Sequence, residues 1–356
     1  MKELNTFQQY FVEEFYDDYR EGLLSRRAFI RRVALITGSM AATIVTMTAL
    51  GCAPSELPAP TETMPSTAGA TATVALPAAT ATVPPAATAR PTQVPTSTEA
   101  ASQATATPAA RLEPVPGAQS PLSVPEGDPV VITRRATFTS QGDELVAYLA
   151  RPAAEGEFPA VMVCHENRGL TPHIRDVARR FAQAGYVALA IDLLSREGGT
   201  DAVDPDQVPA LLSNAPAERH VADFAAGFDY LQTLESVEGD RIGMTGYCFG
   251  GGITWRCAVA LPELKAAVAF YGPAPDLAQV PNIRAAVFGV YAEQDSRINA
   301  GKDALEQALA DAGVVHQMKV YPGVNHAFHN DTGQRYDEAQ ATQAWEDTLA
   351  WFEEHL

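Results

Sequence analysis

The run Gly246-Tyr247-Cys248-Phe249-Gly250-Gly251 has the form G-x-nucleophile-x-G. Such a run belongs at a sharp strand-to-helix turn. The glycines leave room for a strained backbone, and the thiol stands at a helix N-terminus, where the dipole favours thiolate. No G-x-S-x-G occurs in the chain, so Cys248 has no serine rival. A nucleophilic thiol needs a base, and the base needs an orienting acid. Asp295 follows the apolar run 285–291, and His326 follows the run 316–321. The order nucleophile, acid, base and the shared placement after strands point to Cys248, Asp295 and His326 acting together. Glu166 follows the apolar run 159–164 and is expected in the same cleft, where desolvation lets a carboxylate accept a thiol's proton. His326, His329 and Asp331 make a weak metal site, being three loop residues without a further ligand. No metal or cofactor is expected. Cys164 and Cys257 fall in predicted strand and helix interiors and read as core.

Several elements must position these groups. Residues 130–140 and 145–150, around Gln141-Gly142-Asp143, predict a hairpin. The apolar runs 159–164 and 186–191 predict buried strands, and 241–246, 265–271, 285–291 and 316–321 predict further strands. Helical patterns cover 173–184, with Gly185 as its C-cap, and 217–235. Another starts just after Cys248, and two more cover 300–312, N-capped by Asn299, and about 336–354. Strands alternating with helices predict a mostly parallel sheet wrapped on both faces.

Residues 128–356 resemble the dienelactone hydrolase family, the carboxymethylenebutenolidase-like α/β-hydrolases. The resemblance rests on the G-Y-C-x-G-G elbow, Asp295, His326, the pair His165-Glu166 and the run Asp192-Leu193-Leu194-Ser195-Arg196. It implies an α/β-hydrolase fold and hydrolysis of a carboxylic ester or lactone through a Cys–Asp–His triad and an acyl-thioester. It also implies that Glu166 holds the resting thiol, that the Asn167 and Phe249 N–H groups form the oxyanion hole, and that Arg196 binds substrate. Two positions depart from the pattern. One and three residues after the catalytic His the family has Ser and Arg; here stand Ala327 and His329. Arg168 and Arg335 remain as sources of positive charge. The alternatives are a broad esterase or thioesterase, and a non-catalytic cell-surface binding domain on the same fold.

The chain of 356 residues carries 25 Lys and Arg against 43 Asp and Glu, a net charge of -18. That balance excludes sequence-independent nucleic-acid binding, which needs clustered cations. Four cysteines with no C-x-x-C exclude a disulfide scaffold and a zinc ribbon. Residues 53–127 hold 14 Pro, 13 Thr and 19 Ala with no aromatic residue, and predict a disordered linker. Residues 1–52 predict an export signal. Ser25-Arg26-Arg27-Ala28-Phe29-Ile30-Arg31-Arg32 resembles a twin-arginine motif, and the uncharged run 33–50 lies at the lower limit for a bilayer span. Ala49-Leu50-Gly51-Cys52 resembles a lipobox that would lipidate Cys52. The expected location is outside the cytoplasmic membrane, tethered by lipid or anchor, after passage through the twin-arginine machinery. Phe7, Phe11 and Phe15 form one helical stripe, read as an incidental amphipathic leader rather than a docking helix.

Overall fold

The computed structural model describes residues 4–50, 112 and 114–356. Cys52, and most of the segment 53–127 read as a linker, lie outside them. The hydrolase body is one eight-stranded sheet in the order β1-β2-β4-β3-β5-β6-β7-β8. Its strands are β1 (Val131–Ser140), β2 (Asp143–Pro152), β3 (Phe158–Cys164), β4 (Val187–Ile191), β5 (Val237–Tyr247), β6 (Ala266–Phe270), β7 (Ala286–Ala292) and β8 (His316–Tyr321). β1 and β2 pair antiparallel, as do β2 and β4, and every other pairing is parallel. The hairpin turns at Gln141 and Gly142, both at positive φ (52° and 91°), which suits the right-handed twist of the flanking strands. β4, β6 and β7 are buried along their whole length, as their unbroken apolar runs require.

Helices cover both faces of the sheet. α4 (Pro172–Gln183) meets the closing helix α10 (Glu338–His355), with the Phe181 ring 4.6 Å from Trp345 and 5.9 Å from Phe352. α6 (Ala217–Gln232) packs beside α7 (Phe249–Ala260), which starts at the elbow. Short α5 (Val208–Asn214), which the sequence reading missed, precedes α6. The helix expected over 300–312 is α9 (Lys302–Asp311), and a separate turn, α8 (Ser296–Asn299), precedes it. Asn299 therefore ends α8 instead of capping α9; its side chain donates back to the Ala292 carbonyl at 2.8 Å.

The bounds of the linker need correcting. The linker does not extend to residue 127, because 114–127 is part of the folded body. Val115 and Val124 are buried, and the Val124 N–H donates to Asp176 at 2.7 Å. The first 52 residues, expected as a leader with one apolar span, hold three helices: α1 (Thr6–Arg20), α2 (Arg26–Thr37) and α3 (Met40–Ala49). Gly38, in the left-handed region at φ 73°, ends α2 in mid-run, and α2 and α3 meet at 119°. No single described helix is long and apolar enough to cross a membrane; that bent pair passes only on length and composition.

Asp331 pins several elements together. It accepts from Arg180 (2.8 Å) and the Ser120 N–H (3.2 Å), and its other oxygen lies 2.8 Å from His173 Nδ1. Burial alone would raise its pKa, but the His173 and Arg180 contacts outweigh that and hold the carboxyl well below the usual range. A depressed carboxyl contributes stability that is complete above the unfolded pKa of about 3.9 and is lost as pH falls through the folded value. Asp331→Asn is expected to cost roughly 3 kcal/mol at neutral pH and to flatten the loss of stability below about pH 4. Urea unfolding across pH measures both.

Candidate active site

Cys248 lies between β5 and α7 with φ 60° and ψ -121°, a strained conformation for a residue with a side chain. The flanking glycines are sterically required. A Cβ on Gly246 would lie 2.3 Å from the Gly250 carbonyl oxygen. One on Gly250 would lie 2.5 Å from the Cys164 oxygen and 2.6 Å from the His165 oxygen. The Cys248 N–H donates to the Phe270 carbonyl at 3.1 Å, tying the elbow to β6.

The acid and base meet at the same edge. His326 Nδ1 is 2.6 Å from Asp295 Oδ2, and both residues are buried. Burial alone would raise Asp295, but His326, Arg297 and the Ile298 N–H outweigh it and leave the carboxyl below its ordinary value. With Nδ1–H facing Asp295, Nε2 is left to act on a substrate or thiol. The ligand atoms of Cys248, His326 and Glu14 lie within 4.8 Å of one another, yet no hydrogen bond joins Cys248 to His326.

Two residues of α1 fill that gap. The Tyr10 hydroxyl donates to Cys248 Sγ at 3.3 Å and stands 3.5 Å from His326 Nε2. Both Glu14 carboxylate oxygens lie 3.5 Å from Sγ, and one accepts from the Asn167 side chain at 2.6 Å. The sequence reading missed both residues. Burial pushes the Cys248 thiol well up, and the Glu14 and Glu166 carboxylates push further, against the Tyr10 hydroxyl and the Phe249 N–H. The thiolate expected from the helix dipole is therefore opposed in this arrangement. Burial likewise raises Glu14.

The other expected residues divide. The Phe249 N–H is directed at Cys248 and favours its thiolate. Asn167 is buried beside the site, with its side chain on Glu14. Glu166 is buried there too, but it accepts from Asn330 (2.6 Å) and makes no hydrogen bond to Cys248. The carboxylate on the resting thiol is Glu14. The Glu166 loop is set by His165, whose Nδ1 bonds the Glu166 carbonyl (2.7 Å) while Nε2 accepts from the Leu193 N–H (3.3 Å). Arg168 is exposed and lines the cavity of about 160 Å³ that reaches Cys248. Arg196 does not line it. Its guanidinium is held by Asp143 (2.6 Å) and bidentately by Asp223 (2.8 and 2.9 Å), so its role here is to clamp the hairpin to α6. Arg335 is at the cavity, paired with Asp18 and Glu21. His329 stacks on Tyr247 at 5.0 Å and is separate from the cluster formed by His326. Cys164 and Cys257 are fully buried, and burial raises both thiols.

The sequence profile of the dienelactone hydrolase family matches residues 145–356. The chain belongs to the dienelactone hydrolase family. It is a hydrolase acting on esters or lactones. It is 36% identical over 251 residues to a provisionally assigned carboxymethylenebutenolidase of Salmonella typhi, covering 66% of this chain and 92% of that one. It is 29% identical over 229 residues to a provisionally assigned 2-oxo-3-(5-oxofuran-2-ylidene)propanoate lactonase of Bradyrhizobium, covering 61% and 92%. Among solved structures it resembles a provisionally assigned dienelactone hydrolase of Klebsiella pneumoniae, with TM-score 0.59, 34% identity and coverage of 63% and 99%.

The elbow geometry gives a direct test. Gly250→Ala drives a Cβ into the β3 carbonyls and should destabilise the fold by about 2 kcal/mol, the scale of overpacking. Gly313→Ala, at positive φ (68°) but with nothing near its Cβ, carries backbone strain without the clash and should cost less. Paired urea melts compare the two.

Proposed function

We propose that Cys248 is the nucleophile of a carboxylic ester or lactone hydrolase, with His326 as its base and Asp295 as the orienting acid. The observation that carries this is the convergence at one sheet edge of an elbow thiol at φ 60° and a buried His–Asp pair at 2.6 Å. Nε2 of His326 takes the thiol proton, and the thiolate forms a bond to the substrate carbonyl carbon. The Phe249 and Asn167 N–H groups receive the oxyanion. Collapse breaks the ester bond, and His326 returns its proton to the leaving alkoxide. His326 then deprotonates water, which attacks the thioester, and the thiol is restored as the acid departs. Membership of the family and the kinship to a lactonase support the ester or lactone class. The exposed Arg168 at the cavity suits a substrate bearing an anionic group.

We also propose that the protein is exported through the twin-arginine machinery and tethered at the outer face of the cytoplasmic membrane, by lipid on Cys52 or by the apolar segment. The support is the sequence 25–52 itself. Arg26→Lys with Arg27→Lys is expected to retain the protein inside the cell. Delivery of the double variant to the surface in fractionated cells would remove this reading.

Cys248→Ala should lower kcat on p-nitrophenyl acetate by at least about 10³-fold, and His326→Ala by a similar factor, because such residues act as a unit. Asp295→Asn should be milder, since it disturbs orientation while keeping the base. Mass spectrometry of quenched turnover should find an acyl adduct on Cys248. Wild-type turnover by Cys248→Ala on every ester and lactone the native protein cleaves would end the proposal.

A further inference from the structure

We propose that α1 is a tethered inhibitor of the Cys248 site, and that hydrolysis requires this helix to leave. The inference rests on Cys248 being the nucleophile. Attack needs the substrate's carbonyl carbon about 3–3.5 Å from the sulfur, with its oxygen toward the Phe249 N–H. The Tyr10 hydroxyl at 3.3 Å and both Glu14 oxygens at 3.5 Å already occupy positions in that shell around Sγ. Tyr10 and Glu14 are one helical turn apart, so a single docked face delivers both.

The blockade is chemical as well as steric. The Tyr10 hydroxyl contacts both the sulfur and Nε2, separating the thiol from its base. Glu14 sets a carboxylate against a group that must become an anion, and it occupies the Asn167 side chain at 2.6 Å. The cavity of about 160 Å³ that reaches Cys248 is itself walled by Glu14 and Asp18 of this helix, so the approach to the sulfur runs past α1.

The docking face is built for this surface. Phe7 and Phe11 lie 4.8 and 5.5 Å, ring to ring, from Phe249, the residue after the nucleophile. Phe7, Phe11 and Phe15 are 3% exposed or less, so the aromatic stripe is a buried interface, not an incidental leader pattern. Polar contacts fix the helix at both ends. Near its start, Gln8 donates to Asn214 at 2.6 Å and Asn5 to the Ser213 carbonyl at 2.9 Å. Near its end, Arg335 holds Asp18 (2.8 Å) and Glu21 (2.7 Å). The next helix adds ion pairs from Arg31 and Arg32 to Asp206, at 2.8 and 3.3 Å. Cleavage of the chain before Cys52, as a lipidated export signal would require, would free this segment from the hydrolase.

Two full-length variants test the proposal. Phe7→Asp with Phe11→Asp should undock the helix. Tyr10→Ala with Glu14→Ala keeps the aromatic anchors and the fold while clearing the sulfur. Each should raise kcat/KM on p-nitrophenyl acetate at least about tenfold and speed alkylation of Cys248 by iodoacetamide in step, as expected when a mostly closed population opens. A synthetic peptide of residues 4–24, added to the Phe7/Phe11 variant, should return both rates toward wild type. Turnover and alkylation at or below wild-type rates in the Tyr10/Glu14 variant would overturn the inhibition. If Cys248→Ala still abolishes wild-type turnover in that case, the nucleophile stands and only the inhibition falls. If the opened variants turn over equally well with Cys248→Ala, the nucleophile reading itself falls.

Discussion

A cysteine held at φ 60° is the constraint on which the site depends. That conformation exists only because Gly246 and Gly250 lack side chains and because β3 and β6 press on the turn from either side. The Cys164 and His165 carbonyls lie against Gly250, so the loop that follows, with Glu166 and Asn167, is registered to Cys248 by backbone contact. The same packing sets the first turn of α7, whose Phe249 N–H faces the sulfur. Cys248, the Phe249 N–H and the neighbouring Glu166 thus share one rigid origin. The His326–Asp295 pair comes from loops after β8 and β7, and the parallel register brings those loops to the same edge.

Charge is distributed unevenly around this origin. The chain carries a net charge of -18, yet Arg168, Arg297 and Arg335 are found at the cavities lined by Cys248, Asp295 and His326. Two of these arginines face acids of α1: Arg335 holds Asp18 and Glu21, and Arg297 lies 3.5 Å from Asp17. At the sulfur the balance reverses. Burial and two carboxylates outweigh the helix end and raise the thiol. A helix N-terminus contributes at most ~2 kcal/mol to a favourably placed charge, which is modest beside the cost of burying an anion next to other anions.

The sheet and the candidate triad were legible in the sequence because their signals are local. The central strands are short apolar runs, and Cys248, Asp295 and His326 each sit in the turn or loop after a strand. What escaped depends on contacts between distant parts of the chain. The stripe Phe7-Phe11-Phe15 fits any amphipathic helix, and nothing near it indicates that Phe249 is its partner. Arg196 matched a family position, but Asp143 and Asp223, which hold it, come from the hairpin and α6. The family resemblance puts Glu166 on the resting thiol, and its place after a strand only brings it into the cleft. Its bond to Asn330, and the arrival of Glu14 at Cys248, are set by side-chain reach across the folded cleft. Residues 114–127 resemble the Pro-rich stretch before them in composition, and their membership of the body rests on two buried valines and bonds to Asp176 and Asp331.

The attachment of α1 to the body it covers has a quantitative consequence. A segment on the same chain meets its site at an effective concentration on the order of millimolar, independent of how dilute the protein is. An intrinsic affinity of only some tens of micromolar then keeps nearly all molecules occupied. Scission of one peptide bond between α1 and the hydrolase removes that advantage, and at nanomolar protein the same contacts hold almost nothing. The aromatic stripe and its polar latches can therefore be weak as a bimolecular interface, and weakness is what makes the bound state reversible by a single cut.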